Sequence, residues 1–148
     1  MLLRDYRGLV ELYSYRSLTY GSDKLPAFTG IASCLHETLG TPYLAGIWAS
    51  DIVNGLLWKP ELSECKHVKP FRAPTWSWAA TDDAILYETY GGSIGETMAS
   101  TSVILIDHEI IISDPSNPSG EISSASIVVR GLTLSLIRSE QYIGNAKD

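Results

Sequence analysis

Residues Gly91-Gly92-Ser93-Ile94-Gly95 satisfy Gly-x-Ser-x-Gly, the pattern that lifts a serine nucleophile onto a sharp turn after a strand. A strand expected over 84–87 precedes it, as that geometry requires. A serine attacks only when a base takes its proton and a further group orients that base. The only downstream histidine is His108, and the acid beside it is Asp107. The fold built around this turn also needs a larger parallel sheet than 148 residues supply. Weighed against a glycine loop joining two strands, Ser93 receives no catalytic assignment.

Cys34-Leu35-His36 and Cys65-Lys66-His67 repeat a Cys-x-His pair, and two such pairs can make a Cys₂His₂ zinc site. The spacing opposes it. Two positions apart on a helix is about 200° around the axis, so Cys34 and His36 cannot face one metal. The competing reading is a buried thiol at Cys34, a polar histidine at the end of a helix and a solvated linker over 65–67. No metal ligand and no cofactor site is assigned. Arg16 and Asp23 flank a turn and can pair across it; Asp23 is read instead as the cap of the following helix, with Arg16 left open. Trp48, Trp58, Trp76 and Trp78 can be read as a stacking platform for bases. No basic residues interleave Trp76 and Trp78, so core packing is the stronger reading.

The elements that hold these residues follow from periodicity. Leu3, Tyr6, Val10 and Tyr13 lie three and four apart, one face of a helix over 2–14. A second helix is expected over 24–39, with Pro26 in its first turn and a stripe of Leu25, Phe28, Ile31, Ala32, Leu35 and Leu39. Gly40 and Pro42 stop it. Leu44, Ile47, Trp48, Ile52 and Leu56 predict a third helix over 44–58, although Gly46 and Gly55 weaken it. After a polar linker over 59–70 the period changes to two. Trp76 and Trp78 are then on one face of a strand and Thr75 and Ser77 on the other. Further strands are expected over 84–87, 102–106, 109–113 and 126–137, with a turn-rich loop over 114–120. Helices first and strands after them predict an α+β fold: N-terminal helices (2–14, 24–39, 44–58) packed on a mainly antiparallel β region over about 74–136. The chain is read as one domain, helical over 1–70 and β over 71–137, with a tail over 138–148.

Composition bounds the function. Hydrophobic residues make up 45% and charged residues 19%, which suits a packed domain. Residues 1–80 carry eight Lys and Arg against seven Asp and Glu, a sum of +1; residues 81–148 carry three against ten, a sum of −7. So acidic a second half disfavours binding to a phosphate backbone, and no nucleic-acid partner is expected. Arg4 and Asp5 interrupt the start too early for a secretory signal. The apolar piece over 38–50 is too short to span a membrane. Two cysteines do not make a disulfide scaffold. The expectation is a cytoplasmic protein with no membrane partner.

Three long runs carry a resemblance. They are LVELYSYRSLTYGSDKLPAFTGIA (9–32), YLAGIWASDIVNGLLW (43–58) and FRAPTWSWAA (71–80). In this order they resemble the region downstream of the HET domain in fungal heterokaryon incompatibility proteins. Thr75 stands where that family has a serine. SGEISSASIVVRGLTLSL is similar to the family's tail, and the likeness covers roughly residues 6 to 136. The runs that mark the HET domain itself, Ser-Tyr-x-Trp-Gly, Asp-x-x-Cys-Ile and Ile-Tyr-x-x-Ala, do not occur here. The chain therefore reads as a fragment that begins where that domain has ended. The family acts in non-self recognition and programmed cell death, an activity attributed to the HET domain. What the resemblance implies here is a non-catalytic structural or regulatory portion, with a HET domain or another protein as partner. The alternatives are a small serine hydrolase using Ser93, or a zinc-dependent interaction module.

Overall fold

The computed structural model describes residues 2–62, 68–87, 103–116 and 121–132. The first two helices stand where the periodicity puts them: α1 over Leu2–Ser14 and α2 over Lys24–Leu39. Tyr6 and Val10 of α1 are buried, and Leu3 and Tyr13 pack beside them. Pro26 occupies the first turn of α2, where its missing N–H leaves no helical bond unmade. Gly40 ends the helix in the left-handed conformation, its N–H bonded to the His36 carbonyl at 2.9 Å. Two details differ. Asp23 makes no side-chain capping bond, and a 3-10 turn over Gly21–Asp23 leads into the helix instead. Ile31 lies on the exposed side, outside the buried stripe of Leu25, Phe28 and Ala32.

The third helix expected over 44–58 is replaced by a set of short elements. Tyr43–Leu44 (β1) and Ile47–Trp48 (β2) form a tight antiparallel hairpin. A 3-10 turn over Ala49–Asp51, a short helix α3 over Ile52–Leu56 and a strand β3 over Trp58–Pro60 follow. Ala45 (φ 46°) and Gly46 (φ 103°) make the hairpin turn, and paired positive φ values match the twist of the flanking strands. The apolar spacing of Leu44, Ile47 and Trp48 fits either a helix or a two-residue hairpin, so periodicity alone does not separate them. Gly46 decides it. A Cβ there would sit 2.5 Å from the Trp78 indole nitrogen, on a backbone that side chains rarely adopt. Gly46→Ala is expected to cost about 2–4 kcal/mol through strain and overpacking, read as a lowered urea midpoint.

The strand expected around Trp76 and Trp78 is also replaced. The Ser77 N–H bonds to the Pro74 carbonyl at 2.8 Å, and Trp78–Ala80 form a 3-10 turn capped by Ser77. Alternation between two faces is thereby lost. Trp78 and Ser77 are both fully buried, whereas Trp76 is half-buried. Proline at 74 starts a turn where the two tryptophans suggested an extended run.

Strand β4 covers Ile85–Tyr87 and pairs antiparallel with β3. The two strands expected over 102–106 and 109–113 are one, β5, over Val103–Ile112; an irregularity between Leu105 and Asp107 leaves Ile106 out of register, while Asp107 and His108 pair with β6. It pairs antiparallel with β6, Ile122–Gly131, which begins earlier than the expected 126; positions 133–137 lie outside the described residues. Every strand pair among the described residues is antiparallel, and helices precede the longest strands, so the fold is α+β.

One buried cluster joins α1, α2, the hairpin, the 73–80 turn, β4 and Ile122 of β6. Phe28 meets Trp78 edge-on at 5.1 Å between ring centres, and Tyr6 meets Trp48 at 5.9 Å. Polar side chains of α1 finish β4: Ser14 Oγ accepts from the Ile85 N–H at 2.9 Å and Glu11 Oε1 from the Tyr87 N–H at 2.7 Å. The helix thus stands in for a further strand along that edge.

Candidate functional site

The hairpin turn is buried, so its carbonyls need donors inside the core. Ser77 Oγ donates to the Ala45 carbonyl at 2.6 Å, and the Trp78 indole N–H donates to the Gly46 carbonyl at 3.0 Å. Tyr6 Oη lies 3.1 Å from that same carbonyl. The Trp-Ser-Trp run therefore supplies two donors to a turn that no strand could satisfy. The second tryptophan of the run is the anchor. Trp76 instead offers its carbonyl to the Trp58 indole at 2.9 Å.

Beside this anchor lies a polar cluster that the sequence reasoning missed. Arg72 is 91% buried and spends its guanidinium on the backbone. Nε donates to the Ala79 carbonyl (2.8 Å), Nη2 to the Thr81 carbonyl (3.0 Å) and Nη1 to the Gly21 carbonyl (3.0 Å) and to Asp82 (2.8 Å). Lys24, the first residue of α2, is buried as well; its Nζ donates to the Thr81 carbonyl at 2.6 Å and lies 5.6 Å from the centre of the Trp78 ring. A cation in the first turn of a helix opposes the helix dipole, so its place must be justified by such partners. That was the available signal: a lysine at a helix start, and a lone arginine inside the apolar run FRAPTW.

Two cavities open on this cluster. One of about 420 Å³ is lined by Leu25, Pro26, Phe71, Arg72 and Ile122. The other, of about 400 Å³, is lined by Ser14, Arg16, Leu18, Lys24 and Asp82. Gly21 and Asp82 border both. A separate ion pair, Arg7 with Asp51, ties α1 to the start of α3, and Asn54 donates to Asp51 at 2.7 Å.

No family model, no curated protein and no solved structure matches this chain. The site is therefore read from its own chemistry.

Burial, and secondly the charge of Arg72, push the Lys24 amine down from 10.5 to about 8; Asp82 and Asp83 oppose them. Between those two values the unfolded chain holds a proton that the folded chain has released, so stability rises with pH there. The buried phenols of Tyr6, Tyr43 and Tyr87 act in the other sense. Burial raises all three, so the unfolded chain ionises first above about pH 10 and stability falls. Urea melts should gain about 1–2 kcal/mol from pH 8 to 9.5 and weaken beyond 10, with the gain missing in Lys24→Met. A flat profile from pH 8 to 9.5 would contradict the burial of Lys24.

The residues weighed from sequence are scattered. Ser93 and its glycines, Cys65, His67 and the tail over 138–148 lie outside the described residues. His108 and Asp107 are exposed on β5, where the His108 N–H bonds to Asp107 Oδ1 at 2.8 Å. Cys34 is exposed on α2, contrary to the buried thiol expected, because its position faces away from the Phe28 stripe. His36 stacks on Trp48 with ring centres 6.4 Å apart. Among the described residues, no group of three or more His, Cys, Asp and Glu gathers as metal ligands do. No ion pair joins Arg16 to Asp23 among the described residues. No helix there is long and apolar enough to cross a membrane.

Proposed function

We propose that this chain is a non-catalytic structural and regulatory portion of a fungal heterokaryon incompatibility protein, the part that follows the HET domain. The observation that carries the reading is where the three family-like runs meet. YLAGIW supplies the Ala45 and Gly46 carbonyls, APTWSWAA supplies Ser77 and Trp78, and SDKLP supplies Lys24, which reaches the Thr81 carbonyl beside Trp78. Their distinctive side chains are spent on one another. That is a reason for such runs to recur together in a scaffold, and it leaves their polar atoms engaged inside the fold instead of facing a substrate.

The role proposed is to restrain or position a HET domain through an interface of about 600–1,500 Å² within one chain. The apolar side chains left outside suit that role. Leu9 and Leu12 on the outer side of α1, and Ile104, Ile106 and Val128 on the β5–β6 ribbon, are 47–69% exposed. Inducible expression in a fungal cell tests the reading. Residues 1–148 alone should leave viability unchanged, and fusion behind an intact HET domain should alter the killing by that domain. Death caused by residues 1–148 and abolished by Ser93→Ala would favour the hydrolase; death that survives this substitution would overturn the scaffold reading outright.

A further inference from the structure

We propose that α1 pairs with the α1 of a second copy of this chain in an antiparallel two-fold contact, Leu9 of each copy against Leu12 of the other. The inner side of α1 packs on the core through Tyr6, Val10 and Tyr13. The outer side carries a second apolar stripe. Leu2, Leu9 and Leu12 are 36%, 47% and 69% exposed, and Asp5 and Arg16 are exposed as well. Positions 2, 5, 9, 12 and 16 step by three and four in turn, the spacing of a seam between two paired helices. Arg16 stands in the turn that closes α1, its N–H on the Tyr13 carbonyl at 3.0 Å, so the seam runs the length of the helix. Neither Asp5 nor Arg16 belongs to an ion pair among the described residues. A Cβ at Gly8, beside the seam, would meet no neighbouring atom within 4 Å, so a second helix has room to come close there.

Charge selects both the occupant and its direction. With Leu9 opposite the partner's Leu12, the same antiparallel register sets Asp5 opposite the partner's Arg16, four positions further out on each helix. A two-fold axis repeats both contacts and gives two leucine layers flanked by two ion pairs. A parallel pair would instead set Asp5 against Asp5 and Arg16 against Arg16, and like charges face to face repel. The complementary groups lie on one stripe of one chain, so the partner that fits this stripe is a copy of itself. A single pair of short helices makes an interface under about 1,200 Å², the class of weak and reversible contacts, with a dissociation constant on the order of 100 μM. The pairing occupies the α1 part of the exposed apolar surface and leaves the β5–β6 ribbon to an attached domain. It does not depend on what that domain is.

Sedimentation equilibrium of residues 1–148, from about 10 to 1,000 μM, tests the pairing. The average mass should climb from one chain toward two. Leu9→Ser with Leu12→Ser should hold the chain at one copy throughout the range. Asp5→Arg alone and Arg16→Asp alone should each weaken association by about tenfold or more, because each sets like charges together in both outer layers. An equal mixture of the D5R and R16D chains should associate again, since every outer layer of the mixed pair then joins opposite charges. The four positions are exposed, and urea melts of each variant check that the fold is kept. A single-copy mass for the unaltered chain across the range overturns the proposal. So does association that survives the paired serine substitutions, or a mixture of D5R and R16D that associates no more tightly than either variant alone.

Discussion

Replacing Trp78 with alanine should remove about 3–5 kcal/mol of stability, the range for truncating a large aromatic in a core. Trp78 has no exposed surface, meets Phe28 and Tyr13 edge-on and donates to the Gly46 carbonyl. Its loss empties the place where α1, α2 and the hairpin turn converge. Against a total stability of typically 5–15 kcal/mol, a loss of this size brings the chain near its unfolding midpoint in mild urea. Trp76→Ala should cost clearly less, because Trp76 is only half-buried. Equal losses for the two, or a loss below about 1 kcal/mol for Trp78, would contradict the anchoring role.

Arg72→Leu should be comparably severe, about 3–5 kcal/mol by the precedent of breaking a buried charged network. The change strands the Ala79 carbonyl and removes one of two donors from the Thr81 carbonyl, shared with Lys24 Nζ, and from the Gly21 carbonyl, shared with the Lys24 N–H. Arg72→Lys should recover less than half of that loss, since a single ammonium cannot reach acceptors set around a planar fork. Asp82→Asn should matter little, because the Asp82 side chain is 68% exposed and its pairing with Arg72 is screened by water. Urea melts of the three variants check the order. An Arg72→Lys protein as stable as the parent would mean that charge alone, and not the fork, holds the 79–82 backbone.

The sequence made α1 and α2 legible because both bury a stripe of three- and four-residue spacing, and Gly40 and Pro26 mark the second helix with local backbone chemistry. It misled over 44–58 because the same apolar spacing serves a helix and a tight hairpin. What separates them is a long-range fact: Trp78 lies against Gly46 from 32 residues away. Trp76 and Trp78 looked like a strand for a related reason. Alternation is visible in the chain, while the burial of Ser77 is imposed by a carbonyl at Ala45 that needs a donor. The charged cluster was harder still. Lys24 and Arg72 converge on the Thr81 carbonyl from 57 and 9 residues earlier in the chain, and only the fold brings them there. Motifs of the kind that advertise chemistry, such as Gly-x-Ser-x-Gly or Cys-x-His, said nothing about these two residues.

Hydrogen exchange at the indole nitrogens tests the packing most directly. The chain has four tryptophans, and so four indole N–H signals, that of Trp78 being identified by its loss in Trp78→Phe. In the fold described here the Trp78 N–H is bonded to the Gly46 carbonyl at the centre of the core, so it should exchange only through global unfolding, with the free energy read from urea melts. The Trp58 N–H, bonded to a backbone carbonyl from a half-buried ring, should exchange faster. Protection of Trp78 to the full unfolding free energy is the expected result. Exchange of the Trp78 indole as fast as that of Trp58 would show that the Trp-Ser-Trp run does not lock the hairpin turn, and the scaffold reading would lose its foundation.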